Sequence, residues 1–438
     1  MSSLQDSLRH VLPRSIEFHL LHLLSPSRET HQVVLERYPG YGSQRVVKAQ
    51  HFFALACESK VFYALEIYVY ITLHNGEACD KLVFVSKADT NGYCDRAVSI
   101  KDVTRVLLEF VTSISPLEYL NRVIGLPASR EANCDAITHH TTTKRALRIL
   151  KSRHEHHEAY RPPLEDPYIH FNKISPQWTC KLSLFTRSEP QYLFAESSQN
   201  GNKHVLPGDK LLKWWLSVVD SIVTSSFDTD TNARLQIPGE EAAVTAKHIR
   251  ELNGPDWQIG DIFNGVPEDL AIFKIPVFPD DPKGRFLEQL VDEGRARKVQ
   301  LSQFWVELQV QQEFRLGDTV SVIGVAGKLR PLISQVVADT EVVLTSSRKM
   351  FNMIKSYVTG EEYDKEDGAL DAYANVRDFL HLRLNRSYVR IIGTKAPKQT
   401  GKIFSNSDIS HTSASAPKPQ VRIQTLNTSI VRKKPKTT

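Results

Sequence analysis

Residues 51–73 read HFFALACESKVFYALEIYVYITL. Aromatic and β-branched residues crowd both sides of one polar break at Glu58, Ser59 and Lys60. Side chains of these types suit a pleated, packed surface, so each half favours a strand. Two such runs joined by so short a break predict a buried hairpin. The chain up to about residue 95 therefore reads mainly as strands. In residues 82–94, LVFVSKADTNGYC, an apolar strand runs into a polar turn signalled by Asn91-Gly92.

Helical spacing begins after that turn. Ser99 and Asp102 have the spacing of a capping box, and Val103, Val106, Leu107, Phe110 and Val111 form one stripe. KLSLFTR at 181–187 is a further strand, followed by QYLF at 191–194 and a polar loop ending in Lys203-His204. Pro207-Gly208-Asp209 opens a helix with Leu211, Trp214, Trp215, Val218 and Ile222 turned inward. Arg187, Lys203 and His204 ahead of a helix N-terminus are suited to an anionic phosphate. After residue 281 the pattern is mainly helical, with a short strand at 342–347 and a long helix at 368–384.

Two stretches fall outside these patterns. Residues 128–166 are polar and histidine-rich and are expected to form a mobile inserted loop. Its HEHHE run at 154–158 lacks HExxH spacing and reads as solvated polar loop, so no metal is expected. Residues 394–438 are rich in Ser, Thr, Pro and Lys and read as a disordered basic tail, ending in a cluster of the nuclear-import kind. The formal charge of +5 divides unevenly: residues 393–438 carry +8, so the remainder carries −3. A mildly acidic body tolerates a basic protein substrate and does not suit direct, specific nucleic-acid binding, while the tail suits an acidic partner. No apolar run is long enough for a membrane span, and the five cysteines include no CxxC pair, which suits a reducing compartment.

FPDDPK at 278–283 carries two carboxylates between two prolines. Each proline disfavours helix at the residue before it, so a helix can start at Pro282 with Asp281 as its cap. The same corner also reads as a catalytic elbow, with carboxylates beside Lys283 and Arg285. Local sequence leaves both readings open.

These blocks carry a resemblance. QHFF at 50–53, VSKADTNGYC at 85–94, LFTR at 184–187, QYLF, KWW at 213–215, GDIF at 260–263, FPDDPK and TGEEYD at 359–364 resemble the fungal Rtt-type histone H3 lysine acetyltransferases, similar in fold to the CBP-type enzymes. The resemblance implies a single α/β domain over residues 1–393, with a central mixed sheet of about seven strands surrounded by helices. It implies acetyl-CoA bound by Ala88, Phe185, Thr186, Arg187, Tyr192, His204, Val205, Leu206 and Trp214. It implies catalytic parts for Asp89, Trp215, Asp280 and Asp281, and self-acetylation of a buried Lys283. Histone H3–H4, an anti-silencing-function chaperone and a nucleosome-assembly-type chaperone are the implied partners, and the nucleus the implied location. Where the family carries an arginine this chain has Ala97, with Arg96 one residue earlier.

On this basis Asp281 is expected nearest the incoming lysine, with Lys283 buried against Asp89. The competing expectations are a non-catalytic chromatin adaptor of the same fold and a metal-dependent hydrolase using the HEHHE histidines.

Overall fold

The computed structural model describes residues 3–35, 44–74, 78–123, 178–254, 257–263, 265–310, 319–330 and 341–396. The expected mobile loop at 128–166, with its HEHHE run, and the tail beyond residue 396 lie outside them.

The hairpin forms as anticipated. Strands β3 (Arg45–Cys57) and β4 (Lys60–His74) pair antiparallel along their length. Glu58 and Ser59 turn the corner with positive φ at both positions, the two-residue geometry that matches strand twist. Around the hairpin lie β1 (Glu17–Leu24), β2 (Arg28–Thr30), β5 (Ala78–Thr90), β6 (Trp178–Thr186), β7 (Asn232–Gln236), β8 (Trp257–Ile259), β9 (Ser321–Gly327), β10 (Val343–Leu344) and β11 (Val389–Ile392). The order is β10-β1-β3-β4-β5-β6-β9-β7-β8, with β11 on β1 and β2 on β3. The sheet is mixed: β5–β6, β1–β10 and β7–β8 are parallel, the rest antiparallel. It has eleven strands among the described residues, where the resemblance implied about seven. β2, β8, β10 and β11 account for the excess; they are too short to leave a periodic signature.

Both faces of the hairpin are covered, which is why its apolar residues do not alternate with polar ones. On one face Val47, Phe53, Leu55 and Leu65 pack with helices α1 (Leu4–Val11), α2 (Ile100–Ser113) and α4 (Gly208–Ser226), with the short α3 (Pro116–Leu120) beside them. On the other, Phe52, Ala54, Ala56 and Ala64 pack with α8 (Arg348–Thr359) and α9 (Glu366–Leu384). A smaller core joins α6 (Pro282–Asp292) to α7 (Leu301–Gln309), and α5 (Ala242–Ile249) lies near β7 and β8. Helix α1 escapes the sequence reading because it occupies a stretch taken as strand, although Ser3 and Asp6 form a full capping box. Residues assigned to the tail also take part in the fold: the Thr394 and Lys395 amides donate to Arg9 and Leu12, and Lys395 pairs with Asp102 at 2.6 Å.

Two buried polar groups show how this sheet is tied to its helices. The Lys81 ammonium donates to the carbonyls of Val111, Thr112 and Ile114, ending α2 where it has no basic residue of its own. Burial pulls that lysine down to about 8. Beneath α2, His22 Nε2 and His51 Nδ1 lie 2.8 Å apart, and His51 Nε2 is 2.9 Å from the Tyr119 hydroxyl. Burial pushes His22 down to about 3 and His51 well below its ordinary value. The unfolded chain takes up these protons below about pH 6.5 while the folded chain refuses them, so stability falls as pH drops. Urea unfolding at pH 6.5 and pH 5 is expected to differ by about 2 kcal/mol for each such histidine. His22→Phe should flatten part of that slope.

Candidate active site

The site grows from a parting of strands. β5 and β6 pair in parallel from Cys79↔Trp178 to Val85↔Leu184. There Ser86 forms a bulge, since Ile67 pairs with Val85 but Glu66 with Lys87. Beyond it β5 follows β4 to Thr90, while β6 stays with β9 to Thr186. The two backbones separate and a groove opens between them. Its walls hold one pocket of about 280 Å³ and a second of about 90 Å³, which share Ala88, Arg187, Tyr192, Leu211 and Trp215. A larger cavity of about 660 Å³ lies elsewhere and contains none of the expected site residues. Its His74 and Lys181 both pair with Asp80.

The structure gathers nearly every residue named from sequence into this groove. Ala88, Asp89, Arg187, Tyr192, His204, Val205, Leu206, Trp214 and Trp215 line the larger pocket. Phe185, Thr186, Asp280 and Asp281 line the smaller one. Trp215 is buried, whereas Trp214 and Leu211 are half-buried and face the pocket, so the expected inward stripe of α4 is split between core and groove. Trp214 and Trp215 meet edge to face at 4.8 Å. Helix α4 starts without a side-chain cap, leaving its first N–H groups near His204, which is exposed. Gly208 is needed there, because a Cβ would stand 2.6 Å from the Thr319 backbone. The Tyr192 hydroxyl donates to the Arg187 carbonyl at 2.7 Å, and burial pushes it up to about 12, keeping it neutral. Arg96 pairs with Glu58 and does not line the groove.

Asp89 differs from its expected part. It does not meet Lys283. Its Oδ2 accepts from the backbone N–H groups of Tyr192, Leu193 and Phe194 at 2.8, 2.9 and 3.4 Å. Its Oδ1 accepts from Lys203 Nζ at 2.9 Å, and Lys203 also donates to Ser197. Both members of the pair are nearly buried, at 7% and 4% side-chain exposure. Lys203 is therefore committed to Asp89 and is not a spare cation for a phosphate. Gly92 permits this closure: a Cβ there would lie 2.7 Å from both Asn200 Nδ2 and the Lys203 amide.

The FPDDPK corner divides its two carboxylates: one caps a helix and the other faces solvent. Asp281 caps α6, accepting from the Lys283 amide at 3.1 Å, and Pro282 takes the first helical position. Its other oxygen accepts from Lys283 Nζ at 2.7 Å, with side chains 0% and 1% exposed. Asp281 was expected nearest an incoming lysine; both its oxygens accept from Lys283 inside the protein. Asp280 is the carboxylate that reaches out, 61% exposed, with Lys87 Nζ at 2.9 Å. It holds φ +55°, a conformation that Asp tolerates better than most residues but that still carries strain. The Lys87 hydrogen bond holds its carboxyl below the usual range, outweighing partial burial.

Lys283 lines neither pocket. Its ammonium sits 5.0 Å from the Phe185 ring centre and 6.0 Å from that of Phe278, beneath the groove floor. Asp261, half-buried, lies within electrostatic reach of this pair, and the GDIF block that contains it carries no spacing rule that marks its carboxylate. Burial pushes its carboxyl up while the Lys283 charge works the other way, and among the described residues its Oδ2 has no hydrogen-bond partner. Lys87 and Glu66 were also passed over, since neither belongs to a motif with a spacing rule. Among the described residues no group of His, Cys, Asp and Glu is placed to hold a metal ion.

A groove where a parallel strand pair splays, walled by tryptophan and tyrosine and flanked by an exposed carboxylate, suits a long anionic co-substrate and a cationic acceptor. Residues 4–379 match the histone acetyltransferase KAT11-type domain. This chain belongs to the KAT11-type histone acetyltransferases. It is similar to the histone acetyltransferase RTT109 of Candida albicans, 33% identical over 72% of this chain and 85% of that protein. It is also similar to rtt109 of Aspergillus flavus, 26% identical over 80% of this chain and 59% of that protein. The crystal structure of Rtt109 from Aspergillus fumigatus superposes with a TM-score of 0.63 at 20% identity, covering 90% of this chain and all of that one, which establishes the shared fold. The histone acetyltransferase reading taken from the sequence blocks agrees with the family, and the family implies acetyl-CoA as co-substrate.

Proposed function

We propose that this acetyltransferase modifies lysines of histone H3, including a core-domain lysine of newly made H3, while chaperones present H3–H4 to it. The observation that carries the reading is Asp280, a solvent-facing carboxylate in the smaller pocket, beside the groove that suits acetyl-CoA. In this reading Ala88, Phe185, Thr186, Arg187, Tyr192, His204, Val205, Leu206 and Trp214 bind the co-substrate along the groove. Trp214 and Tyr192 cover its apolar arm, and the α4 N-terminus favours its phosphates. The acceptor's ammonium is drawn to Asp280, which orients it, and its proton passes to the bulk buffer before attack; a carboxylate held below its usual range positions the amine rather than keeping its proton. The neutral amine attacks the thioester carbonyl, the C–N bond forms, the C–S bond breaks, and the thiol leaves. Trp215 closes the floor and excludes water. Lys283 is acetylated in the same reading, which neutralises a buried ammonium.

The partners and location are proposed on the family resemblance, and the charge distribution is compatible with them. The slightly acidic body suits histones. The basic residues of 394–438 suit an anti-silencing-function or nucleosome-assembly-type chaperone and nuclear import. Replication-coupled nucleosome assembly and genome stability would follow from those partners.

Transfer of label from acetyl-CoA to H3–H4, with and without chaperone, tests the reading; label on other proteins but not H3 would sink it. Asp280→Asn is expected to lower kcat/KM about tenfold or more, the worth of one charge-assisted hydrogen bond, without lowering the melting temperature. Full activity of that variant would remove Asp280 from the mechanism.

A further inference from the structure

Lys87 has no part in the reaction as described, yet it stands at its centre. It sits on β5 one residue before Ala88 and lines the smaller pocket with Asp280. Its ammonium, 2.9 Å from Asp280 Oδ2, is a primary amine on a four-carbon stem. An acceptor lysine would bring the same group to the same carboxylate.

A second carboxylate lies within its reach. Lys87 is directly opposite Glu66 on β4, and residues so paired share one face with Cβ atoms about 5 Å apart. Glu66 is 1% exposed. Every hydrogen bond it accepts among the described residues falls on Oε1, from Gln50, from Tyr68 at 3.1 Å and from Lys355 at 2.6 Å. Among the described residues its Oε2 accepts none. So the ammonium of Lys87 can leave Asp280 without losing a charged partner, by a rotation of its own stem.

We propose that Lys87 is a built-in stand-in for the acceptor lysine: it occupies Asp280 in the free enzyme and swings to Glu66 when the acceptor's ammonium arrives. The proposal rests on the reading that Asp280 receives the acceptor amine. It makes Lys87 a specificity residue, because an acceptor must compete with it. A neutral or poorly fitting side chain leaves the pocket closed by the internal pair, and a lysine reaching full depth opens it.

Binding of a lysine-containing H3 peptide, measured with CoA present, tests this in four forms of the full chain: wild type, Lys87→Met, Asp280→Asn and the double variant. Lys87→Met keeps the stem and removes the charge. It is expected to tighten peptide binding about two- to fivefold, the range of an exposed ion pair, and to leave the acetyl-CoA KM unchanged. In the Asp280→Asn background the same change should have no effect. Weaker peptide binding by Lys87→Met would overturn the proposal and make Lys87 a prop for Asp280. Equal tightening in both backgrounds would overturn it too, as a general loss of positive charge. Lys87→Arg, which keeps the charge, should stay near wild type, and melting temperatures report on folding. Failure of the underlying reading is separate and visible: the wild type would then transfer no acetyl group to H3–H4.

Discussion

Asp281→Asn is expected to destabilise the unacetylated enzyme by about 3–5 kcal/mol, the cost of leaving one partner of a buried ion pair alone. Asparagine caps a helix as well as aspartate does, so the start of α6 survives and the charge is the only loss. What remains is the Lys283 ammonium, 1% exposed, with its 2.7 Å partner gone. The outcome depends on the state of Lys283. Once acetylated, it carries no charge to strand, and the same substitution should cost about 1 kcal/mol or less, that of one neutral hydrogen bond. Urea unfolding of protein whose Lys283 state is fixed by mass spectrometry separates the cases. Lys283→Met combined with Asp281→Asn should recover most of the loss, since an apolar replacement of a buried pair is often neutral. Equal, small losses in both acetylation states would show that the pair contributes little. The test also separates stability from turnover, because Asp280, not Asp281, faces the acceptor in the proposed mechanism.

Asp89→Ala should be comparably damaging, and for a reason that has nothing to do with proton transfer. The carboxylate holds three consecutive N–H groups of the 192–194 turn and the ammonium of Lys203. Removing it strands five donors, the Thr90 amide among them, one of the five charged and 4% exposed. A loss of about 3–5 kcal/mol is expected, with Tyr192 and the wall it forms loosened and acetyl-CoA binding weakened. Asp89→Asn combined with Lys203→Met should restore much of the stability by removing the stranded charge together with its partner. If Asp89→Ala kept the wild-type melting temperature and acetyl-CoA affinity yet lost turnover, Asp89 would instead act on the reacting groups, as the family resemblance implied.

Much of the scaffold was legible because it rests on local chemistry. The apolar run around Glu58 and Ser59 encodes a hairpin with both faces covered, and that pattern survives any detail of packing. Ser99 does cap α2, although the Asp102 amide donates at a long 3.4 Å. Pro282 does open α6, because proline's fixed φ and the residue before it act within a turn. The groove residues came together because the resemblance named whole blocks, and a shared fold brings shared blocks to the same strand ends.

The partners of charged side chains were not legible. Lys283 was expected against Asp89 and lies on Asp281; Lys203 was read as a cation for a phosphate and lies on Asp89. Asp280 and Asp281 are neighbours of the same type, yet one is exposed and the other covered. The prolines marked Asp281 as the cap but not which of the two would be covered; Asp280 holds a positive φ where the chain leaves Phe278 and enters α6. Glu66 and Lys87 stand opposite each other only because a bulge at Ser86 shifts the register of β5. Sequence alone determined the longer elements, since propensity, capping and apolar pattern act over a few residues. Tertiary structure alone decided which carboxylate meets which ammonium, because burial and distance set the worth of a charge pair, and both arise only when strands and helices far apart in the chain close over one another.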